Sequence, residues 1–276
     1  MVDWIELQRN SVEQSVPVEL LIGEVIQVSF LDGLYRDKES DQIVFQGGTC
    51  IRLVHQGWRY SEDLDFVTGA SLPANCDALV RQAFTYCQRL LEQWWGPLNF
   101  RLKLESRPGK STMKAYWIKM EILGQRKLYR VKLEFAAYPV EEPRPWPIRR
   151  ASEILAMPVL PLVLGESLPE LLADKITAFA GRPYIKGRDV FDIWYLSAVL
   201  GVTVNPTLTK KKCAAYKIAN PKQALQKNLS ALLPSHVQNE MDRFLPEPYR
   251  SRLAQDGYAT LLGTHHNVIN EILKVL

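Results

Sequence analysis

Apolar residues recur at three- and four-residue spacing as Val18, Leu21, Ile22, Val25, Ile26 and Phe30, a period that predicts a helix over residues 17–36. The short run "QIVFQGG" reads as a buried strand closed by glycines, and "TCIRLVHQG" as a helix ending at Gly57. "DLDFVTG" alternates with a period of two, as a strand does, and "CDALVRQAFTYCQRLLEQWW" returns to the helical period until Gly96 and Pro97 stop it. From Asn99 to Tyr138 the alternation comes back in "FRLKLES", "KAYWIKMEIL" and "LYRVKLEFAAY", separated by the turn-forming "RPGKS" and "GQRK". These are three successive strands, mostly antiparallel. The proline-dense "PVEEPRPWPIRR" reads as a connector. After it, "SLPELLADKITAFAGR" and "GRDVFDIWYLSAVLG" are helical, as is most of the chain to Leu276. This order predicts an α+β domain over residues 1–145 and a helical C-terminal domain over 146–276.

With 276 residues, 47% hydrophobic and 23% charged, the chain can bury a sizeable core. Its apolar runs are too short or too proline-broken to span a bilayer, and "MVDWIELQRN" lacks the basic and apolar regions of a signal peptide, so a cytoplasmic protein is expected. Cys50, Cys76, Cys87 and Cys213 form no C-x-x-C pair and are expected to be buried thiols, and the histidines have no ligand spacing. Net charge is only +4, but residues 101–150 hold 13 Lys or Arg against 5 Glu, a local +8 that leaves −4 for the rest. Such a segment suits a polyanionic partner, or is simply a solvated strand face.

The candidate chemistry begins with Asp63 and Asp65. Two residues apart on a strand, they project side by side while Leu64 and Phe66 face the core. Like charges that close call for a cation, and Mg²⁺, which binds one or two carboxylates together with substrate phosphates, fits the pair. A solvated strand end with Glu62 and Arg59 as salt partners fits it as well. Gly47, Gly48 and Thr49 precede the pair between a strand and a helix, where glycines let backbone N–H groups approach an anion and a threonine hydroxyl can cap the helix or meet a phosphate. In the second half, Lys175 and Arg182 lie seven apart on a helical face, and Asp189 and Asp192 are at i and i+3. Lysine and arginine suit triphosphate oxygens, although a solvated helix face and a first-turn acid would look the same. The two halves are expected to face one another across a cleft.

"GGT…SEDLD" resembles the nucleotidyltransferase signature of the DNA polymerase β-like superfamily, and "FQGGTCIRLVHQGWRYSEDLDF" is similar to the AbiEii/AbiGii toxin family of type IV toxin–antitoxin systems. The resemblance extends through "LLADKITAFAGRPYIKGRDVFDIWYL", from about Val44 to Leu196 in all. It implies a polymerase β-like domain with a mixed sheet and a nucleotidyl transfer from an NTP with release of pyrophosphate. Two Mg²⁺ ions would be held by Asp63, Asp65 and a third carboxylate, for which Glu134 in "VKLEF" is the candidate and Glu121 in "IKMEIL" its competitor. It also implies Lys175 as a nucleotide-phosphate ligand beside Arg182, with Asp189 and Asp192 as functional positions orienting them. The implied acceptor is RNA, a tRNA 3′ end, with Tyr116 and Trp117 available to stack on unpaired bases and a cognate antitoxin encoded nearby. A protein hydroxyl or small molecule as acceptor, or an inactive nucleic-acid-binding module, are the alternatives.

Overall fold

The computed structural model describes residues 4–107, 112–124, 126–150 and 160–276. The chain divides into two compact units, Met1–Glu166 and Ser167–Leu276.

In the first unit, helix α1 (Trp4–Gln14) precedes α2 (Val18–Tyr35), of whose 18 residues 14 are buried. A helix enclosed on all sides must satisfy each polar group it buries. Glu24 takes two hydrogen bonds from Arg52, Gln27 donates to the Ser61 carbonyl, and Asp32 accepts from Arg36 and from the Tyr86 hydroxyl. Arg52 also donates to the carbonyls of Gly57 and Trp58 and lies 3.8 Å from the centre of the Tyr60 ring. Removing one partner of such a buried pair costs about 3–5 kcal/mol, so the segment leading into the Asp63 strand is firmly held.

Strands β1 (Val44–Gln46), β2 (Asp63–Val67), β3 (Phe100–Arg107), β4 (Met113–Ile122), β5 (Leu128–Ala136), β6 (Pro143–Pro147) and β7 (Leu162–Glu166) form one sheet in the order β3-β4-β5-β2-β1-β7-β6. The sheet is mixed: β2 runs parallel to β5 and β1 to β7, and the other pairs are antiparallel. Its apolar face carries Phe45, Phe66 and Phe135, with Phe66 stacked on Phe135 at 4.6 Å. This face packs on α2 and on α4 (Cys76–Trp95), which ends at Gly96 with φ +80° as the sequence predicts. The opposite face carries the polar residues of the same strands. All four cysteines are free and buried, and burial pushes the Cys76, Cys87 and Cys213 thiols up.

Two expectations are corrected here. Helix α3 spans Gly47–Leu53 rather than starting near Thr49 and running to Gly57, because Gln56 turns left-handed at φ +56° and Gly57 N–H folds back to the Ile51 carbonyl. The proline-dense segment is a strand, not a connector: β6 pairs with β7 from Pro143↔Glu166 to Pro147↔Leu162. Alternate prolines are tolerated because β6 is an edge strand, where every second N–H has no ladder partner to lose. The expected boundary at 145/146 thus falls within a strand, and the units divide at Glu166/Ser167.

The second unit is helical: α5 (Leu168–Gly181), α6 (Gly187–Trp194), α7 (Pro206–Ala215), α8 (Pro221–Ala231), α9 (Pro234–Phe244), α10 (Glu247–Ala254) and α11 (Ala259–Leu273). Ser167 caps α5, accepting from Glu170 N–H, with a proline in the first turn. Helix α5 packs on α6, α7 and α8, and α6 on α9 and α11. A side chain at Gly187 would collide with the His236 carbonyl, so this glycine lets α6 start against α9. "GRDVFDIWYLSAVLG" is not one α-helix: after Trp194 it widens to a π turn over Tyr195–Val199. Among the described residues no helix is long and apolar enough to cross a membrane.

Candidate active site

Strand β2 lies between β1 and β5, and its register decides what surrounds the aspartate pair. Asp65 stands opposite Gln46 on one side and Glu134 on the other, and Asp63 opposite Lys132. Register partners on adjacent strands point to the same face about 4.8 Å apart, so Asp63, Asp65 and Glu134 share the polar face. Glu121 is on that face too, but it pairs with Leu128, whereas Glu134 pairs with Ala115, six residues along β4. Six residues of strand are about 20 Å, which separates Glu121 from the pair.

The Glu134 carboxylate accepts from Lys132 Nζ at 2.8 Å, and both side chains are about a quarter exposed (29% and 28%). Among the described residues no three His, Cys, Asp or Glu side chains are gathered as a metal cluster. The three carboxylates share a face without gathering into such a cluster. The donors nevertheless fit a hard cation, being carboxylate oxygens two residues and one strand apart. Gly47 adds to that fit: at φ +79° it turns the chain from β1 into α3, and a Cβ there would stand 2.6 Å from Asp65 Oδ2. The Asp65 carboxylate packs this close to the turn only because residue 47 has no side chain. Gly48 does the same for Arg59, whose buried guanidinium would meet a Cβ at that position.

Thr49 is fully buried and its hydroxyl donates to the Asp63 carbonyl, which corrects the expectation that it caps the helix or meets a phosphate. The N-cap is Gln46, and Thr49 instead pins α3 to the start of β2.

In the second unit the four candidates are brought together. Lys175 Nζ lies 2.7 Å from Asp192 Oδ2 and 3.6 Å from Asp189 Oδ1, and Arg182 Nε lies 2.7 Å from Asp189 Oδ2. Asp189 and Asp192 are buried, Lys175 nearly so, and Arg182 is the most open at 38% of its side chain. Arg182 lies just past α5, at its C-cap in an extended conformation, rather than on the helical face with Lys175. Asp189 reaches both cations across the turn between α5 and α6.

Tyr116 faces the apolar side, 3% exposed and hydrogen-bonded to Asp77 on α4, so it cannot stack on a base; Trp117 is on the polar face. Alternation along β5 places Lys132 on the face of Glu134, two residues away, but nothing in the sequence singles out Lys212. Lys212 is buried in α7, 2.7 Å from Glu170 and 3.0 Å from Asp174 on α5. Its place in "TKKKCAA" gives no signal, because only the packing of α7 on α5 chooses which of three adjacent lysines turns inward.

A mixed sheet that presents an aspartate pair beside a Gly-Gly turn, followed by a helical unit with a lysine bound to two aspartates, is the architecture of a nucleotidyltransferase. Solved structures share the fold: JHP933 from Helicobacter pylori (TM-score 0.55, 15% identity, covering 94% of this chain and 95% of that one) and MenT4, a nucleotidyltransferase toxin from Mycobacterium tuberculosis (TM-score 0.55, 15% identity, 100% and 99%). The family model "Nucleotidyl transferase AbiEii toxin, Type IV TA system" matches residues 29–266. The chain belongs to this family and is a nucleotidyltransferase toxin of a type IV toxin–antitoxin system. Comparison with curated proteins gives no match.

Proposed function

We propose that the enzyme transfers a nucleoside monophosphate from an NTP to an RNA acceptor, a tRNA 3′ end, in a magnesium-dependent reaction in the cytoplasm. The observation that carries this reading is the register of β2 with β5, which sets Glu134 beside Asp65 on the face that also bears Asp63. The acceptor hydroxyl oxygen forms a bond to the α-phosphorus, the bond from that phosphorus to the bridging oxygen breaks, and pyrophosphate leaves. Glu134 takes the hydroxyl proton. Asp63, Asp65 and Glu134 are the residues that would hold magnesium, which when bound supplies charge neutralisation at the triphosphate.

Gly47 and Gly48, with Thr49 anchoring their turn to β2, bring the backbone of the turn close to Asp65 and Arg59, where the nucleotide phosphates would approach. Lys175 and Arg182 supply positive charge for the triphosphate, and Asp189 and Asp192 orient them. The RNA acceptor accords with the local +8 of residues 101–150. Type IV family membership implies a cognate antitoxin that restrains the activity.

Incubating the protein with labelled NTPs, Mg²⁺ and total RNA tests the reading. Label is expected to enter the tRNA fraction, and Asp63→Ala is expected to lower the rate at least about 10²-fold, as loss of a group that stabilises transition-state charge does. Label that enters protein or a small molecule instead of RNA would overturn the acceptor assignment.

A further inference from the structure

The face that carries Asp63, Asp65 and Glu134 continues across β4 and β3, and the ladder registers show what lies along it. One row runs from Asp63 through Lys132 and Trp117 to Glu105. The next runs from Asp65 through Glu134 to Ala115. On the other side of the first row, Arg130, Lys119 and Lys103 stand opposite one another. With strands about 4.8 Å apart, Trp117 is two strands, or about 10 Å, from Asp63. Among the described polar-face positions of β3, β4 and β5, Trp117 is the one aromatic residue.

We propose that this face is the bed on which the single-stranded 3′ end of an RNA acceptor lies, with a base stacked on Trp117 and its phosphates on Arg130, Lys119 and Lys103; the inference rests on the reading that the acceptor is RNA. Three features of the face favour that occupant. Its cations are ordered in a row: Glu105 lies between Lys103 and Lys119, 3.3 Å from one and 2.5 Å from the other, and Lys119 above all holds the Glu105 carboxyl below the usual range. Arg130 and Lys103 are exposed. A stacking ring beside a basic track is how proteins hold unpaired strands, because every base has a π-face and every nucleotide a phosphate. Finally, Ala115 beside Glu134 puts a small side chain next to the carboxylates, and the half-buried Trp117 follows two residues along on the same face. A terminal nucleotide then has room at Asp65 and Glu134, and an upstream base meets the indole.

The test combines equilibrium binding of a fluorescent single-stranded RNA oligonucleotide with a free 3′ hydroxyl and steady-state transfer kinetics, for Trp117→Ala, Trp117→Phe and Arg130→Glu. Trp117→Ala is expected to weaken oligonucleotide binding and raise the RNA KM by about 5- to 150-fold with the NTP KM unchanged. Trp117→Phe should recover most of the loss, and Arg130→Glu should weaken binding without changing the fold. Wild-type binding and RNA KM in both Trp117→Ala and Arg130→Glu would overturn the proposal even if RNA is the acceptor. If wild type transfers nothing to RNA yet binds the oligonucleotide in a Trp117-dependent way, the surface stands and the acceptor reading fails. Polyglutamate binding that responds to Arg130→Glu, with RNA binding indifferent to Trp117→Ala, would make this a docking face for an acidic protein and overturn the proposal.

Discussion

Under the proposed mechanism, position 134 carries the division of labour among the carboxylates. Its side chain is bonded to Lys132 and stands one strand from Asp65, whereas Glu121 is about 20 Å along the sheet by ladder spacing. Glu134→Ala is therefore expected to lower transfer about 10²- to 10³-fold, and Glu121→Ala to leave it within about twofold, both measured as label incorporated per unit time. The reverse order would remove Glu134 from the mechanism. At this scale the sequence was legible wherever chemistry follows from alternation along one strand. Asp63 beside Asp65, and Glu134 opposite Val131 and Leu133, need only a period of two. It was not legible where a second element decides: Glu134 standing beside Asp65 follows from the register of β5 on β2, and the Thr49 hydroxyl bonded to the Asp63 carbonyl from the approach of α3 to β2. Tyr116 and Trp117 are aromatic neighbours in the sequence, and the pleat alone separates a buried ring from one on the polar face.

Among the elements, the helices of the second unit bury charge in two places. Lys175 and Arg182 are tied to Asp189 and Asp192, and Lys212 to Glu170 and Asp174. Helix α11 buries a third kind of polar group. His265 is fully buried, its ring edge-on to Phe179 at 4.7 Å, with neither ring nitrogen hydrogen-bonded. Burial, with a smaller contribution from His266, brings its pKa down to about 3. The unfolded chain binds a proton near pH 6.5 that the folded chain refuses until about pH 3. Stability is thus expected to fall as pH drops through this window, by up to about 1.4 kcal/mol per pH unit, and to be untouched by this residue above pH 6.5. Burial and Arg149 similarly lower His55 in the first unit to about 4, so His265→Leu should flatten urea-unfolding stability between pH 6.5 and 4 without abolishing the slope. An unchanged slope would mean that His265 is protonated in the folded state. The helices themselves were readable from their periods and caps. The proline-rich strand was not, because prolines signal a break unless the strand is known to lie at an edge, and its partner β7 is a separate short segment.

For the whole molecule, charge distribution matters more than its sum. A chain of +4 would bind RNA no more strongly than many proteins, but the fold takes the +8 of residues 101–150 and directs Lys103, Lys119, Arg130 and Lys132 to the sheet face shared with the carboxylates, while the apolar residues of the same strands turn to α2 and α4. Composition could state the excess but not the face, since one shift of register would move the cations to the other side. An RNA acceptor held by about four such cations should bind with a log–log salt slope near −3, so raising monovalent salt from about 50 to 200 mM should raise the RNA KM roughly 50-fold. Arg130→Glu should make that slope shallower, whereas Glu121→Ala should not. A salt-independent RNA KM would mean that the acceptor does not run along this face, and would direct the search to acceptors recognised by shape rather than by their phosphates.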